Sequence, residues 1–248
     1  LRINTEALKQ LALLWLLTCS LLSLAQTQRP MDMWVFRCVL DGKPKALVAA
    51  LHKDLYIGYD TDNCQLFKAW KGGVKFDGAV YSTTKHGPQP ISLSPWYQIN
   101  TLTPTWKLLK NNQELKCKTT FKGYVWQDNK LVLQYDVMAD SVGSVSIEEW
   151  PEFTTQAKTG KPGLVRKIKV LKNEAQLQPV LLLESQGLKT LSSDFKKGDL
   201  LINTPATLVQ KSENYTSAGT LISTLVAINL PATEIEITTF FTETAVHP

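Results

Sequence analysis

The sequence is poor in the residues that do recognisable chemistry. It has three histidines, His52, His86 and His247, among 248 residues. No Gly-x-Ser-x-Gly elbow accompanies them, so a hydrolytic triad would have to be assembled from His52 or His86 without that support. Cysteine is also scarce, at Cys19, Cys38, Cys64 and Cys117. No two of these form Cys-x-x-Cys, and no Cys-x-x-Cys-His exists, so neither a dithiol redox pair nor covalent haem attachment can reside in these residues. Helical periodicity is almost missing beyond residue 25. The lysines are scattered without a block, which argues against nucleic acid or an anionic membrane surface as partner. No apolar run reaches the ~20 residues of a membrane-spanning helix. These absences leave no catalytic residue and no metal ligand to assign.

The longest apolar run is Leu11–Leu24, LALLWLLTCSLLSL, preceded by Arg2 and Lys9. Its length is that of the apolar segment of a secretory signal peptide, and Ser23-Leu24-Ala25 sets small residues at the −3 and −1 positions. Cleavage before Gln26 is expected, with residues 26–33 as a linker. A lipoprotein signal at Cys19 is rejected, because the cysteine lies inside the run and follows Thr18. The reading implies a periplasmic or secreted protein. Removing Arg2, Lys9 and Glu6 lowers the formal charge from +5 to +4. The remaining length suits one large sandwich or two small domains, and a hydrophobic content of 44% can build a core. Among Cys38, Cys64 and Cys117, one bridge and three buried thiols are equal alternatives. The first methionine is Met31, and the chain ends straight after a strand-like run. A piece of a longer reading frame, truncated at its C-terminus, is the expectation.

Strand signals recur about every 8–12 residues, the spacing of sandwiches and barrels. They predict strands at 34–40, 46–51, 55–59, 65–70, 106–109, 115–126, 131–138, 145–147, 164–171, 179–184, 199–203, 206–210, 220–228 and 234–241. Leu131, Leu133, Tyr135 and Val137 share one face of their strand, opposite Val132, Gln134 and Asp136. Asn111-Asn112 and Asp128-Asn129 read as tight hairpin turns. Loops rich in glycine and proline are predicted at 72–78, 85–95 and 153–163. So many strands exceed one open sheet. The predicted fold is all-β, a large two-sheet antiparallel β-sandwich over residues 34–248. A break near 173–179 is conceivable on spacing, but the strand pattern runs through it and favours one domain.

The most distinctive segment is Trp70–Tyr81 followed by His86-Gly87-Pro88-Gln89-Pro90. Ring faces stack on sugar C–H groups while polar side chains fix hydroxyls. Trp70, Lys71, Phe76, Asp77, Tyr81, His86 and Gln89 are therefore the candidate ligand-binding residues, with a sugar as the candidate ligand. The alternative is that the glycines and prolines only shape loops and the aromatics cap the core. Glu148-Glu149-Trp150-Pro151-Glu152 supplies three carboxylates. Neighbours on a strand point to opposite faces, so Glu148 and Glu149 cannot act as a pair, and a solvated strand end is expected. His52 is expected to be an exposed polar turn residue.

Beyond these readings, the chain resembles a known family. The residues that carry it are Trp34-Val-Phe-Arg37 through Pro44, Ala50-Leu51-His52-Lys53-Asp54-Leu55-Tyr56, Leu66–Tyr81, His86–Pro90, Phe121-Lys122-Gly123-Tyr124, Ile147–Glu152 and Gly163-Leu164-Val165-Arg166. Across roughly residues 30–170 they resemble the N-terminal β-rich region of large exported bacterial c-type cytochrome proteins. The resemblance implies a module that precedes a haem domain and sometimes other modules linked to sugar oxidation. It implies haem c in a downstream domain, no cofactor in this chain, and a downstream haem domain or redox partner. Scaffolding of electron transfer is the expected function, and a carbohydrate-binding or carbohydrate-active module is the alternative.

Overall fold

The computed structural model describes residues 33–75, 91–92, 95–99, 104–186, 200–203, 206–216, 219–228 and 234–241. Residues 34–248 cluster as one unit. Every regular element among the described residues is a strand. The first group is β1 (Trp34–Leu40), β2 (Lys43–His52), β3 (Leu55–Asp60), β4 (Gln65–Trp70), β5 (Val74–Lys75), β6 (Ile91–Ser92) and β7 (Pro95–Gln98). Then come β8 (Trp106–Lys110), β9 (Gln113–Leu115), β10 (Cys117–Gln127), β11 (Lys130–Ala139), β12 (Gly143–Thr155) and β13 (Pro162–Lys172). The last are β14 (Gln178–Gln186), β15 (Leu200–Asn203), β16 (Ala206–Thr216), β17 (Gly219–Ile228) and β18 (Glu234–Phe240).

These strands form three main antiparallel sheets. Sheet I runs β1-β2-β3-β4-β7, sheet II β10-β11-β12-β13-β18-β15, and sheet III β16-β17-β14-β8-β9, while β5 and β6 pair by themselves. The all-β, antiparallel, sandwich-like expectation holds, with the strands shared among three principal sheets. Consecutive strands pair wherever the connection is a tight turn. Asp41-Gly42, Asn111-Asn112 and Asp128-Asn129 all have positive φ at both positions. That is the turn whose twist matches a two-residue hairpin, and Asn, Asp and Gly tolerate it best.

Sheets II and III face each other across a shared core. Alternate residues Tyr135 and Val137 of β11, Val145 and Ile147 of β12, Ile168 and Val170 of β13, and Ile235 and Ile237 of β18 supply one side. Trp106 and Leu108 of β8, Leu181 and Leu183 of β14, and Val226 and Ile228 of β17 supply the other. Sheet I differs, because β3 and β4 are buried at every position. Such strands have both faces covered; β3 reads as an apolar run as far as Tyr59, while β4 also buries Gln65 and Lys68. One face of sheet I carries its own cluster, with Cys38, Leu40, Val48, Tyr56, Phe67 and Trp70. A Cβ at Gly58 would lie 3.0 Å from the Phe67 ring and 3.2 Å from Leu40, so glycine there is what lets the ring lie across β3.

Several boundaries depart from expectation. The predicted strand 115–126 is two elements, β9 and β10, and the predicted 145–147 extends to a 13-residue β12. Phe153–Thr155 therefore belongs to β12, not to a loop. Pro151 lies inside β12 and pairs with Arg166 of β13, while the register of β11 with β12 ends at Leu133↔Glu149.

Deleting core volume between sheets II and III should be costly. Ile147→Ala is expected to lower the unfolding free energy by about 2–5 kcal/mol. Lys172→Ala, at an exposed strand end, should stay within about 0.5 kcal/mol. Urea unfolding of both variants is the check.

Candidate functional site

The described residues concentrate buried polar groups at one point, the meeting of the three sheets. Glu149 of β12 is fully buried and Arg166 of β13 is 6% exposed. The two are diagonal neighbours on the inner face of sheet II, since Glu149 pairs with Ile168 while Arg166 pairs with Pro151. Diagonal positions lie within reach of long side chains. The guanidinium grips the carboxylate with both prongs: Nε donates to Oε1 at 2.5 Å and Nη2 to Oε2 at 3.2 Å. Tyr59 of β3, reaching over from sheet I, donates its hydroxyl to Oε1. Tyr135 of β11 donates to Oε2 at 2.9 Å. The Tyr135 ring lies against Trp106 of sheet III, with centroids 5.9 Å apart.

Four donors thus meet the roughly four lone-pair positions of an ionised carboxylate. The consequence for chemistry is direct. A general base needs a lone pair facing its substrate, and Glu149 has given all of its own to the protein. Burial, and the Glu149 charge beside each, push both tyrosine hydroxyls well above their ordinary pKa, so they remain donors. Burial alone would lower Arg166, but the Glu149 charge outweighs it and the guanidinium is held more firmly protonated than usual. A buried charge pair recovers its desolvation cost only with such complete bonding.

This overturns the expectation of a solvated end at 148–152. Glu149 is the most enclosed charge described, while its neighbours take the other face. Glu148 accepts from Gln134 at 2.9 Å, and Glu152 pairs with Lys130 at 3.0 Å and Lys167 at 3.7 Å. The separation of Glu148 from Glu149 follows the strand alternation as expected.

The residues chosen as ligand-binding fare differently. Trp70 is fully buried in the core of sheet I, its Nε1 donating to the Gly73 carbonyl at 2.6 Å and its ring stacked with Tyr56 at 5.6 Å. Its ring face is spent on packing, so Trp70 cannot supply an exposed platform. Lys71 is half exposed and lies 3.8 Å from Asp54. Phe76, Asp77, Tyr81, His86 and Gln89 lie outside the described residues, as do residues 1–32. His52 stacks on Phe153 of β12 at 3.8 Å, and its Nδ1 accepts from the Asp54 N–H at 3.2 Å. It is therefore partly covered by the neighbouring sheet rather than a plain turn residue.

Two further observations bear on chemistry. Cys38, Cys64 and Cys117 are unbridged. Burial raises the thiol of Cys38 to about 12, with Asp41 adding to it. Burial likewise raises Cys64 to about 12, helped by the charges of Glu149, Asp60 and Asp62 and only partly relieved by Thr119. Neither offers a thiolate nucleophile near neutrality. Among the described residues, no group of three or more His, Cys, Asp or Glu could hold a metal ion. No helix there is long and apolar enough to cross a membrane. No family model matches the chain, and no curated protein is significantly similar to it.

The other tight polar knot is at the β1–β2 turn. Asp41 accepts from Lys68 Nζ at 2.5 Å and from the Ser92 hydroxyl and N–H at 2.7 and 2.9 Å. Partial burial would raise its carboxyl, but these hydrogen bonds outweigh burial and hold it below the usual range. A depressed carboxylate adds stability above the unfolded value of about 3.9, and that stability is lost as pH falls through the lower folded value. Asp41→Asn should therefore flatten the loss of thermal stability on acidification below about pH 4, read by calorimetry across that range.

At the three-sheet junction, Arg166→Met leaves Glu149 buried without its counter-ion. Its expected cost is about 3–5 kcal/mol in chemical denaturation. The double variant Glu149→Leu/Arg166→Met should be less destabilised than Arg166→Met alone, because no unpaired charge is then left inside.

Proposed function

We propose that this chain is a rigid β-sandwich module that performs no chemistry of its own and holds a redox partner, a c-type haem domain of the same polypeptide, in a fixed position outside the cytoplasm. The observation that carries the reading is the Glu149 carboxylate. The strongest polar constellation described is turned wholly inward, with every lone pair bonded, and serves to join sheets rather than to meet a substrate. Its rigidity suits a part whose task is placement, since a cofactor supplies the redox chemistry and the protein supplies its orientation. The likeness of residues 30–170 to the β-rich region of exported cytochromes c supports the same assignment. The apolar run ending at Ser23-Leu24-Ala25 supports export.

The test is to read the locus through and express the whole reading frame in a host that matures c-type cytochromes. The expected outcome is a Cys-x-x-Cys-His motif in the same polypeptide and haem that stays attached on a denaturing gel. A continuation without that motif, or a stop directly after Pro248, would remove the electron-transfer assignment.

One observation favours a second reading, a carbohydrate-binding module. Trp126 is 46% exposed at the end of β10, the edge strand of sheet II. Tyr124, two residues earlier, shares its face, because Tyr124 pairs with Leu133 and Trp126 with Leu131. Two aromatics in line on a strand edge can stack on successive sugars. If that reading holds, Trp126→Ala abolishes retention on a polysaccharide affinity gel while leaving the unfolding midpoint within a few degrees.

A further inference from the structure

Beside the Glu149 cluster lies a small cavity with walls from all three sheets. Gln65, Leu66, Tyr97 and Ile99 come from sheet I and its flank, Arg166 from sheet II, and Thr105 with Leu181–Leu183 from sheet III and its flank. The space open to the centre of a water-sized sphere is about 10 Å³, the room that one water molecule needs. Gln65 is 3% exposed, and its Nε2 is buried with no hydrogen-bond partner. Arg166, on the wall from sheet II, gives two of its five N–H groups to Glu149. Buried amide donors are seldom left unmade, because the desolvation penalty is then uncompensated.

We propose that this cavity is a binding site for a single water molecule that ties the three sheets together. The water accepts from Gln65 Nε2 and from Arg166, and donates to Thr105. The oxygens of Thr105 have capacity for this. Its hydroxyl donates to the Asn63 carbonyl at 3.4 Å, keeping its lone pairs, and its carbonyl accepts from the Leu182 N–H at 2.6 Å, keeping one. A small anion would also suit two donors, but the Arg166 charge is already neutralised by Glu149 at contact distance. An added anion would leave the junction with net negative charge in a low-dielectric place. Water also serves the Gln65 amide in either orientation, as acceptor for the nitrogen or donor to the oxygen, which no anion does. The apolar wall of Leu66, Ile99 and Leu181–Leu183 limits the site to one occupant.

Two measurements test it. The first is a crystal structure of the exported chain at atomic resolution, grown with sodium bromide. One ordered water within hydrogen-bond reach of Gln65, Arg166 and Thr105, with no anomalous bromide peak there, is expected. A bromide peak in the cavity, or Gln65 bonded directly to protein, would overturn the proposal. The second is oxygen-17 relaxation of water in solution, comparing the chain with Gln65→Leu. A loss of one long-lived water in the variant is expected, and an unchanged number in a folded variant contradicts the site. Should Gln65→Leu fail to fold, Gln65→Met replaces it, and the crystal structure decides independently.

Discussion

The structure depends on one carboxylate. Glu149 sits where sheet II is covered on the same face by two different sheets, and the groups that satisfy it come from sheet II itself and from sheet I. Arg166 and Tyr135 are its neighbours within sheet II, while Tyr59 descends from sheet I. Tyr135 in turn leans on Trp106 of sheet III. An antiparallel sheet half covered by one partner and half by another has a seam between the two covers. An apolar residue at such a seam would pack against either cover with little preference. A charged one with four directional bonds fixes sheet I through Tyr59, because losing a donor leaves charge uncompensated in the interior, and it reaches sheet III through the Tyr135 ring packed on Trp106.

The seam also explains the contrast between the sheets. Away from it, sheets II and III meet through alternating aliphatic residues, as an ordinary sandwich does. Sheet I is buried on both faces at β3 and β4, so it can lend Tyr59 to the seam while keeping a separate cluster around Tyr56, Phe67 and Trp70. The small cavity against Gln65 and Arg166 lies along the same seam, where three curved layers cannot close on one another without a gap.

Much of the fold is legible in the sequence because it rests on local signals. Period-2 alternation marks β11, and the paired Asn and Asp residues at 111–112 and 128–129 mark the β8–β9 and β10–β11 hairpins through their positive φ. Trp34–Leu40 and Gln65–Trp70 coincide with observed strands. What could not be read is non-local. A run of Glu-Glu-Trp-Pro-Glu looks like a solvated end, and partners distant in sequence, Arg166 seventeen residues on together with Tyr59 and Tyr135, make Glu149 a buried group. Strand parity did contain a hint, since Glu149 shares the face of Val145 and Ile147. The apolar run at 55–59 hinted at burial on both faces of β3, whereas Gln65 and Lys68 hid the same burial around Trp70. The division into three sheets depends on pairings such as β4 with β7 and β8 with β14, which no short-range pattern encodes.

The central claim is that the Glu149 cluster makes sheets I, II and III open together. Native-state amide hydrogen exchange measures this most directly, comparing the chain with Glu149→Gln. The account predicts that amides of β3, β12 and β14, one strand from each sheet, share a single opening free energy. It also predicts that the substitution lowers all three by the same amount. If β3 instead opens at lower cost than β12 in the native chain, or if Glu149→Gln lowers protection in β12 alone, the cluster is a local feature of sheet II and the account fails.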